Sequence, residues 1–382
     1  MKNILIMADA NSRAAIATIR ALDGYDLNLF ISFNSISISN KIVFHRYLKH
    51  PPLNHCNKTK DDFISSLISI REKIGDYILL PYGEKLLRWA ISEKDFLSLN
   101  GVIIPTVNLE KYELISDKES FANLCRKYSI DVPVNKKYDK TKFKNKFVIK
   151  PKKLLNDSHV LQNPILIENE KSFNNLNKMD LDLDMHFVQE YIDGPSIYYC
   201  AYYKCGKNEL YFTQINYRQQ PNGKSVIKAA PHELPSDIVS KIDDMFQAIG
   251  WDGVVMVEVK KDLISHKYYA IEANPRFWGP LQLSIDNGIN FPAALLGFQI
   301  KNSTNEKNSG YIWFAGYIYS IVIKLNTNTD VQRFQNENKN KIHYKDVWLR
   351  YDTFLYFFLE IVISILSVIK NYMLHIFKKC VH

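Results

Sequence analysis

The stretch YYAIEANPRFWG, Tyr268 to Gly279, places a carboxylate, an amide and a guanidinium at every second position directly after an apolar run. Side chains of a strand alternate faces with a period of two. Glu272, Asn274 and Arg276 would therefore share one face, with Ala273 and Pro275 on the other. Just upstream, WDGVVMVEVKKD reads as a turn at Asp252-Gly253 followed by a β-branched strand that carries Glu258. The two strands and their short connection read as an antiparallel hairpin, which folds Glu258 roughly opposite Glu272. Like charges facing each other on paired strands are destabilising, and a divalent cation between them reverses that sign. Carboxylate and amide oxygens are hard ligands that suit magnesium. Arg276 would then meet an anion beside the metal, such as a phosphate. The alternative on these residues alone is a sheet edge with a solvated polar face.

The elements around the hairpin are legible in outline. Over the first hundred residues strands and helices alternate: NILIMAD, DLNLFISF, KIVFH, DYILLP and GVIIPT read as strands, and NSRAAIATIRALDG, DDFISSLISIREKIG and EKLLRWAISEKDF as helices. Such alternation marks a parallel sheet with helices on its faces. The first strand–helix turn, MADANSR, lacks the glycine fingerprint of a dinucleotide site. Further on, a helix is expected from Lys118 to about Ser129. FVIKP and MHFVQEYIDG read as strands, and SIYYCAYYKCGKNELYFTQINYR as a hairpin turning at Gly206. PSDIVSKIDDMFQAIG reads as a helix capped by Ser236. Beyond about Lys301 the chain turns rich in Asn and Lys, as loops and linkers do.

The chain has 382 residues, 46% of them hydrophobic and 23% charged, with a net charge of +9. That composition is globular and leaves room for two or three domains. The positive balance suits anionic small molecules or an anionic membrane surface. No Arg-rich arm, zinc finger or RNA-binding aromatic signature is present, so nucleic acid is not expected as a partner. Five cysteines (Cys56, Cys125, Cys200, Cys205 and Cys380) show neither disulfide-framework nor zinc spacing, which fits a reducing cytoplasm. The apolar part of the N-terminus is too short for a signal peptide. His45, His50 and His55 fit a loop better than any metal-ligand spacing. No HExxH, GxSxG or P-loop motif occurs. Residues 353–379 are apolar with Glu360 as the one charge before Lys370, and three readings stay open: a helix in the membrane interface, a core or oligomer helix, or a span.

SDKESFANLCRKYSIDVP, FVIKP, VQEYIDG, GWDGVVMVEV and EANPRFWG follow one another in order, and together they resemble the ATP-grasp superfamily of ATP-dependent carboxylate–amine ligases. The resemblance runs from Met1 to about Pro292. It implies an α/β fold: an N-terminal Rossmann-like parallel sheet (residues 1–110), then a two-lobed α+β ATP-grasp unit (small lobe 111–187, large lobe with the metal site 188–300), then an Asn/Lys-rich linker and apolar C-terminal helix (301–382). It further implies ATP and Mg2+ (or Mn2+) as cofactors. Lys118 and Lys150 match the lysines that meet nucleotide phosphates. Gln189, with the backbone of Glu190 and Ile192 and the ring of Tyr191, matches the hinge that cradles adenine. Glu258, Glu272 and Asn274 match the metal ligands. Arg276 matches the arginine that steadies the transferring phosphoryl group, and Arg218 a further phosphate- or acyl-binding base. The sequence departs from the pattern twice. KKLLNDSHVLQ contains no glycine where a glycine-rich phosphate loop usually stands, leaving Ser158 as a stand-in, and Ser196 occupies the position of an acidic residue that often binds ribose.

The reaction implied is activation of a carboxylate as an acyl phosphate and its capture by an amine, with an amino acid or a sugar-acid precursor of cell-surface polysaccharide as candidate substrate. A kinase on the same fold and a non-catalytic ATP-binding regulator or membrane scaffold are the alternatives. The expected setting is cytoplasmic, with contact to the inner face of the membrane through residues 353–379, and a homodimer is a further expectation.

Overall fold

The structure is a computed structural model that describes residues 1–8, 12–138, 141–151, 164–179, 185–220, 225–300, 308–322 and 342–380. The chain opens with β1 (Lys2–Met7), α1 (Arg13–Leu22), β2 (Leu27–Phe33), α2 (Ile38–Phe44), β3 (Leu53–Asn54), α3 (Lys60–Ile74), β4 (Tyr77–Pro81), α4 (Glu84–Ser92), α5 (Lys94–Leu99) and β5 (Val102–Ile103). These strands form a parallel sheet in the order β3-β2-β1-β4-β5, the doubly wound arrangement that alternating elements dictate. The stretch KIVFH, expected as a strand, lies in α2 and its C-cap, because the Ser37 hydroxyl accepts from the Asn40 amide and starts a helix there. EKLLRWAISEKDF forms two helices rather than one, broken at Glu93 between α4 and α5.

Next come α6 (Leu109–Ser116), α7 (Lys118–Lys127), β6 (Asn135–Lys136), β7 (Phe147–Pro151), β8 (Ile165–Ile167), α8 (Glu170–Asn177) and β9 (His186–Glu190). Their strands make a small antiparallel sheet in the order β6-β9-β7-β8 over the core of Ile149, Ile167, Phe173, Leu176 and Val188. Strand β9 carries this sheet to Glu190, past the lobe boundary expected after residue 187.

A larger sheet follows, built from β10 (Ser196–Lys204), β11 (Lys207–Gln219), β12 (Val226–Pro231), β13 (Gly253–Lys261), β14 (Tyr268–Asn274), β15 (Ser309–Ile312) and β16 (His343–Asp346). Its order is β14-β13-β10-β11-β12-β15-β16. The hairpin β10–β11 turns at Cys205 and Gly206, whose φ values of 50° and 83° are those of a two-residue type I′ turn. Helix α9 (Ser236–Ala248) covers one face. Pro235 rather than Ser236 is its N-cap, with no side-chain cap bond. Helices α10 (Leu281–Asp286), α11 (Phe291–Leu295), α12 (Phe314–Val322) and α13 (Phe354–Cys380) complete the chain. The region after residue 300, expected as linker and helix, thus adds two strands to the large sheet. Among the described residues, no helix is long and apolar enough to cross a membrane.

Alternation on the large sheet divides its apolar residues between two cores. Ile197, Tyr199, Ala201 and Val257 face α9, while Tyr198, Cys200, Val254 and Met256 face α1 and the parallel sheet. The C-terminal segment is bolted to α1 by buried polar groups. The Arg20 guanidinium donates to Asp352 at 2.6 Å and to Thr353 at 2.7 Å, and the Tyr47 hydroxyl donates to Asp352 at 3.0 Å. Arg20→Met would leave Asp352, which has no solvent exposure, without its cation. The expected loss is about 3–5 kcal/mol of unfolding free energy, measured by urea denaturation. An unchanged midpoint would show that the bolt contributes nothing.

Candidate active site

Antiparallel register sets Glu258 of β13 directly against Glu272 of β14, as the sequence pattern implied. The register slips by one residue just after this pair, where Val259 meets Ala270 and Ile271 is the extra residue, a bulge of the kind that re-aims side chains near functional sites. Directly opposed residues have Cβ atoms about 4.5–5.5 Å apart, and two charges at that separation repel by roughly 3–4 kcal/mol at an effective dielectric constant of about 20. The protein places cations over them. Lys118 Nζ lies 3.8 Å from Glu272 Oε2, and both Lys118, at 8% side-chain exposure, and Lys150, at 5%, are withdrawn from solvent. The lysines cover part of this face, while Glu272 and Arg276 each keep 30% side-chain exposure and so remain open to a ligand from solvent.

Each cation comes from a different element. Asp117 caps α7 by accepting from the Ser120 amide at 2.8 Å, which makes Lys118 the first helical residue. A lysine at a helix N-terminus opposes the helix dipole, so its placement is explained by what it faces. Lys150 rides on β7, opposite Phe187 of β9. Burial, reinforced by Lys118, lowers its ammonium to about 8, against the partial support of Glu272 and Glu258. Burial also raises the Glu258 carboxyl, with Glu272 adding to the rise. Burial alone would raise Glu272 too, but Lys118, Lys150, the Asn274 amide and Arg276 together hold it below the ordinary carboxylate range.

Glu258 is held from behind by a polar chain. The Ser196 hydroxyl donates to Glu258 Oε1 at 2.7 Å, Asn216 donates to Ser196 Oγ at 3.2 Å, and Gln214 donates to Asn216 Oδ1 at 2.8 Å. Ser196, Asn216 and Gln214 are all buried. Ser196, the residue that stands in a ribose-binding position by resemblance, is thus turned toward the carboxylate pair. The alternation of Gln214, Asn216 and Ser196 within the hairpin was the available signal for this chain. Asn274 donates to Glu272 Oε1 at 3.1 Å. Among the described residues no three His, Cys, Asp or Glu side chains converge, so a cation here would draw on the two carboxylates and the Asn274 oxygen. The donor set fits a hard divalent ion: all oxygen, two negative charges, and a like-charge pair that gains from neutralisation.

Arg276 reaches back to the parallel sheet's domain. Its Nε donates to Glu84 Oε2 at 3.2 Å, and Arg88 donates to the other Glu84 oxygen at 2.9 Å. Glu84, buried in the first turn of α4, is a site neighbour that sequence reasoning missed; its only mark was the Arg88 four residues on.

The hinge residues have local partners. The Gln189 amide donates to the Pro133 carbonyl and Asn135 Oδ1, both at 3.4 Å. The Glu190 amide donates to Val134 at 3.0 Å, and its carboxylate accepts from the Val134 amide at 2.9 Å. The Ile192 carbonyl accepts from Lys260 at 3.2 Å, and the Tyr191 ring lies beneath Lys260 and Lys146 at 4.7 and 5.5 Å. Gly194 is required by close approach, since a Cβ there would sit 1.8 Å from the Lys261 carbonyl oxygen. Arg218 is not brought to the carboxylates: its guanidinium lies 4.9 Å from the Tyr317 ring, beside Lys228, and its buried Nε has no partner among the described residues. Ser158 and the glycine-free stretch around it lie outside the described residues. The three histidines do not converge: His55 meets Ser32, His50 stacks on Phe30, and His45 meets the Ile42 carbonyl.

Three units thus converge on one carboxylate pair, and this arrangement is the ATP-grasp fold. Solved structures share it. An L-amino acid ligase from Bacillus licheniformis superposes with a TM-score of 0.57 at 14% identity, over 78% of this chain and 73% of that one. A biotin carboxylase from Campylobacter jejuni, in complex with an ATP analogue, gives 0.61 at 15% identity over 81% and 74%. The biotin carboxylase domain of the Hydrogenobacter thermophilus 2-oxoglutarate carboxylase, solved as a dimer with MgADP and bicarbonate, gives 0.59 at 12% identity over 80% and 71%. No protein-family model and no curated protein sequence matches the chain.

The lowered Lys150 makes the site a source of instability without ligand. Below pH 8 both folded and unfolded chains carry its proton. Between 8 and its ordinary 10.5 the unfolded chain binds more protons, so stability rises with pH. Lys150→Met should raise the unfolding free energy at pH 7 by about 1–3 kcal/mol and flatten its rise between pH 8 and 10. Urea denaturation at both pH values checks this; a destabilised variant would contradict it.

Proposed function

We propose that the chain is an ATP-dependent carboxylate–amine ligase. The observation that carries this reading is the Glu258–Glu272 pair, forced together by sheet register and faced by Lys118, Lys150 and Arg276. Two structural neighbours, an L-amino acid ligase and a biotin carboxylase, support it at the level of fold.

In this reading Lys118 and Lys150 bind the nucleotide phosphates. Their ammonium groups already face carboxylates, so phosphate oxygens replace one set of anions with another. Lys150 gains most, because added negative charge offsets the cost that burial imposes on its ammonium. Glu258, Glu272 and the Asn274 oxygen would hold the magnesium or manganese ion, which supplies charge neutralisation at the phosphate oxygens. Ser196 orients Glu258 through its 2.7 Å hydrogen bond and keeps one carboxylate oxygen directed into the site. Arg276 exchanges Glu84 for the transferring phosphoryl group, and Glu84 holds it in range until then. The segment Gln189–Ile192 lines the nucleotide's base end. Arg218 is assigned to the acyl substrate, at a distance from the carboxylate pair. Positioning and electrostatic stabilisation account for catalysis, with no covalent nucleophile.

The substrate carboxylate takes the terminal phosphoryl group of ATP with release of ADP, and an amine then attacks the acyl phosphate, losing a proton and expelling inorganic phosphate; amino acids and uronic acids are the first pools to try. ADP release from Mg-ATP should require a carboxylate and an amine together. Arg276→Ala should lower kcat by about 10²–10³, and Glu272→Ala should abolish turnover. Release with a carboxylate alone, and a phosphorylated product, would establish a kinase instead. ATP bound without any release across the pools would contradict the ligase reading.

A further inference from the structure

Helix α13 leaves the body of the protein with its apolar face uncovered. Its first turns are seated: Tyr356, Phe357 and Glu360 are buried, and Glu360 accepts from the Trp313 indole at 3.0 Å. The root is fixed by the Arg20–Asp352 bond and by Arg350, which donates to both oxygens of Asp286 at 3.1 and 2.5 Å. From the same turns outward, Phe354, Leu355, Phe358, Val362, Leu366 and Ile369 are each 50–64% exposed. At 100° per residue these six fall within one arc of about 120°. Exposed apolar surface of this extent marks an interaction site.

Charge decides between occupants. Glu360 is the one acidic residue of α13, and it is buried. Helix α2 packs against α13, and the chain around it, from Leu27 to Lys60, contains no acidic residue. Lys41, Arg46 and Lys49 are exposed there, and Arg46 lies over the ring of Tyr351 at the root of α13. Lys370, Lys378 and Lys379 follow in the sequence of the helix. A second copy seated on this face would bring like charges together, and a two-helix seam needs a narrower stripe than this arc. An anionic bilayer surface attracts the cations and takes a wide apolar arc lying in its plane. No described helix is long and apolar enough to cross.

We propose that α13 lies in the plane of an anionic lipid surface, with its apolar arc in the headgroup–acyl boundary and the basic residues around α2 against the headgroups. The buried root makes this a rigid attachment, so docking fixes how the active site is presented to the membrane. The inference is independent of which reaction the site performs.

The test is flotation of the full-length protein with vesicles of phosphatidylcholine alone and of phosphatidylcholine with about one third phosphatidylglycerol. Binding is expected to the second and to be at least tenfold weaker to the first. Val362→Gln/Leu366→Gln/Ile369→Gln should lower partitioning at least tenfold with an unchanged thermal midpoint, since all three side chains are exposed. Lys41→Glu/Arg46→Glu/Lys49→Glu should do the same and remove the salt dependence. Equal binding of the triple-glutamine variant would overturn the proposal. So would absence of binding to either vesicle, with or without a stable dimer in solution.

Discussion

Two carboxylates are locked face to face by backbone register, and most of the surrounding structure answers to that fact. Glu258 and Glu272 cannot move apart without unpairing β13 from β14. Their repulsion is offset by cations delivered from outside the hairpin: Lys118 from a capped helix, Lys150 from the small sheet, and Arg276 from the turn after β14. Lys150 shows how tight the balance is, since even with two carboxylates nearby its ammonium is disfavoured. Such a cluster is expensive to hold together for stability alone, because a buried charge network of this kind rarely stabilises more than apolar packing would.

The same cluster ties the three units together. The small sheet contributes Lys150, the large sheet the carboxylates, and the parallel sheet's domain Glu84, which holds Arg276. A ligand with several negative charges would therefore act on all three units at once. Behind the pair, the Gln214–Asn216–Ser196 chain sets a run of hydrogen-bonded side chains in the core, with Gln214 Oε1 left without a partner among the described residues, and it orients Glu258 rather than merely burying it.

Much of this was legible because strand periodicity is strict. The alternation Glu272, Asn274, Arg276 and the position of Glu258 in a β-branched run were enough to place the pair opposite each other. Lys118 and Lys150 were legible only through resemblance, since nothing local says which way a lysine at a helix start will turn. Glu84 was not legible, because its role depends on how α4 docks against the turn after β14, a contact 192 residues away in sequence. The two strands β15 and β16 were hidden for another reason: four-residue strands beside Asn- and Lys-rich stretches carry too little pattern to stand out. Arg218 was placed by resemblance alone; register shifts flank it in β11, and its guanidinium lies over the Tyr317 ring.

The most direct measurement is the affinity of Mn2+–ADP for the wild-type protein and for the isosteric variants Glu258→Gln and Glu272→Gln, followed by the paramagnetic signal of the manganese. If the pair is a metal site, the ion binds with the nucleotide and either substitution weakens its binding by a hundredfold or more, while the variants keep their fold. Equal affinity in all three proteins would show that the carboxylates are a structural charge cluster and that the metal, if it binds, is held elsewhere.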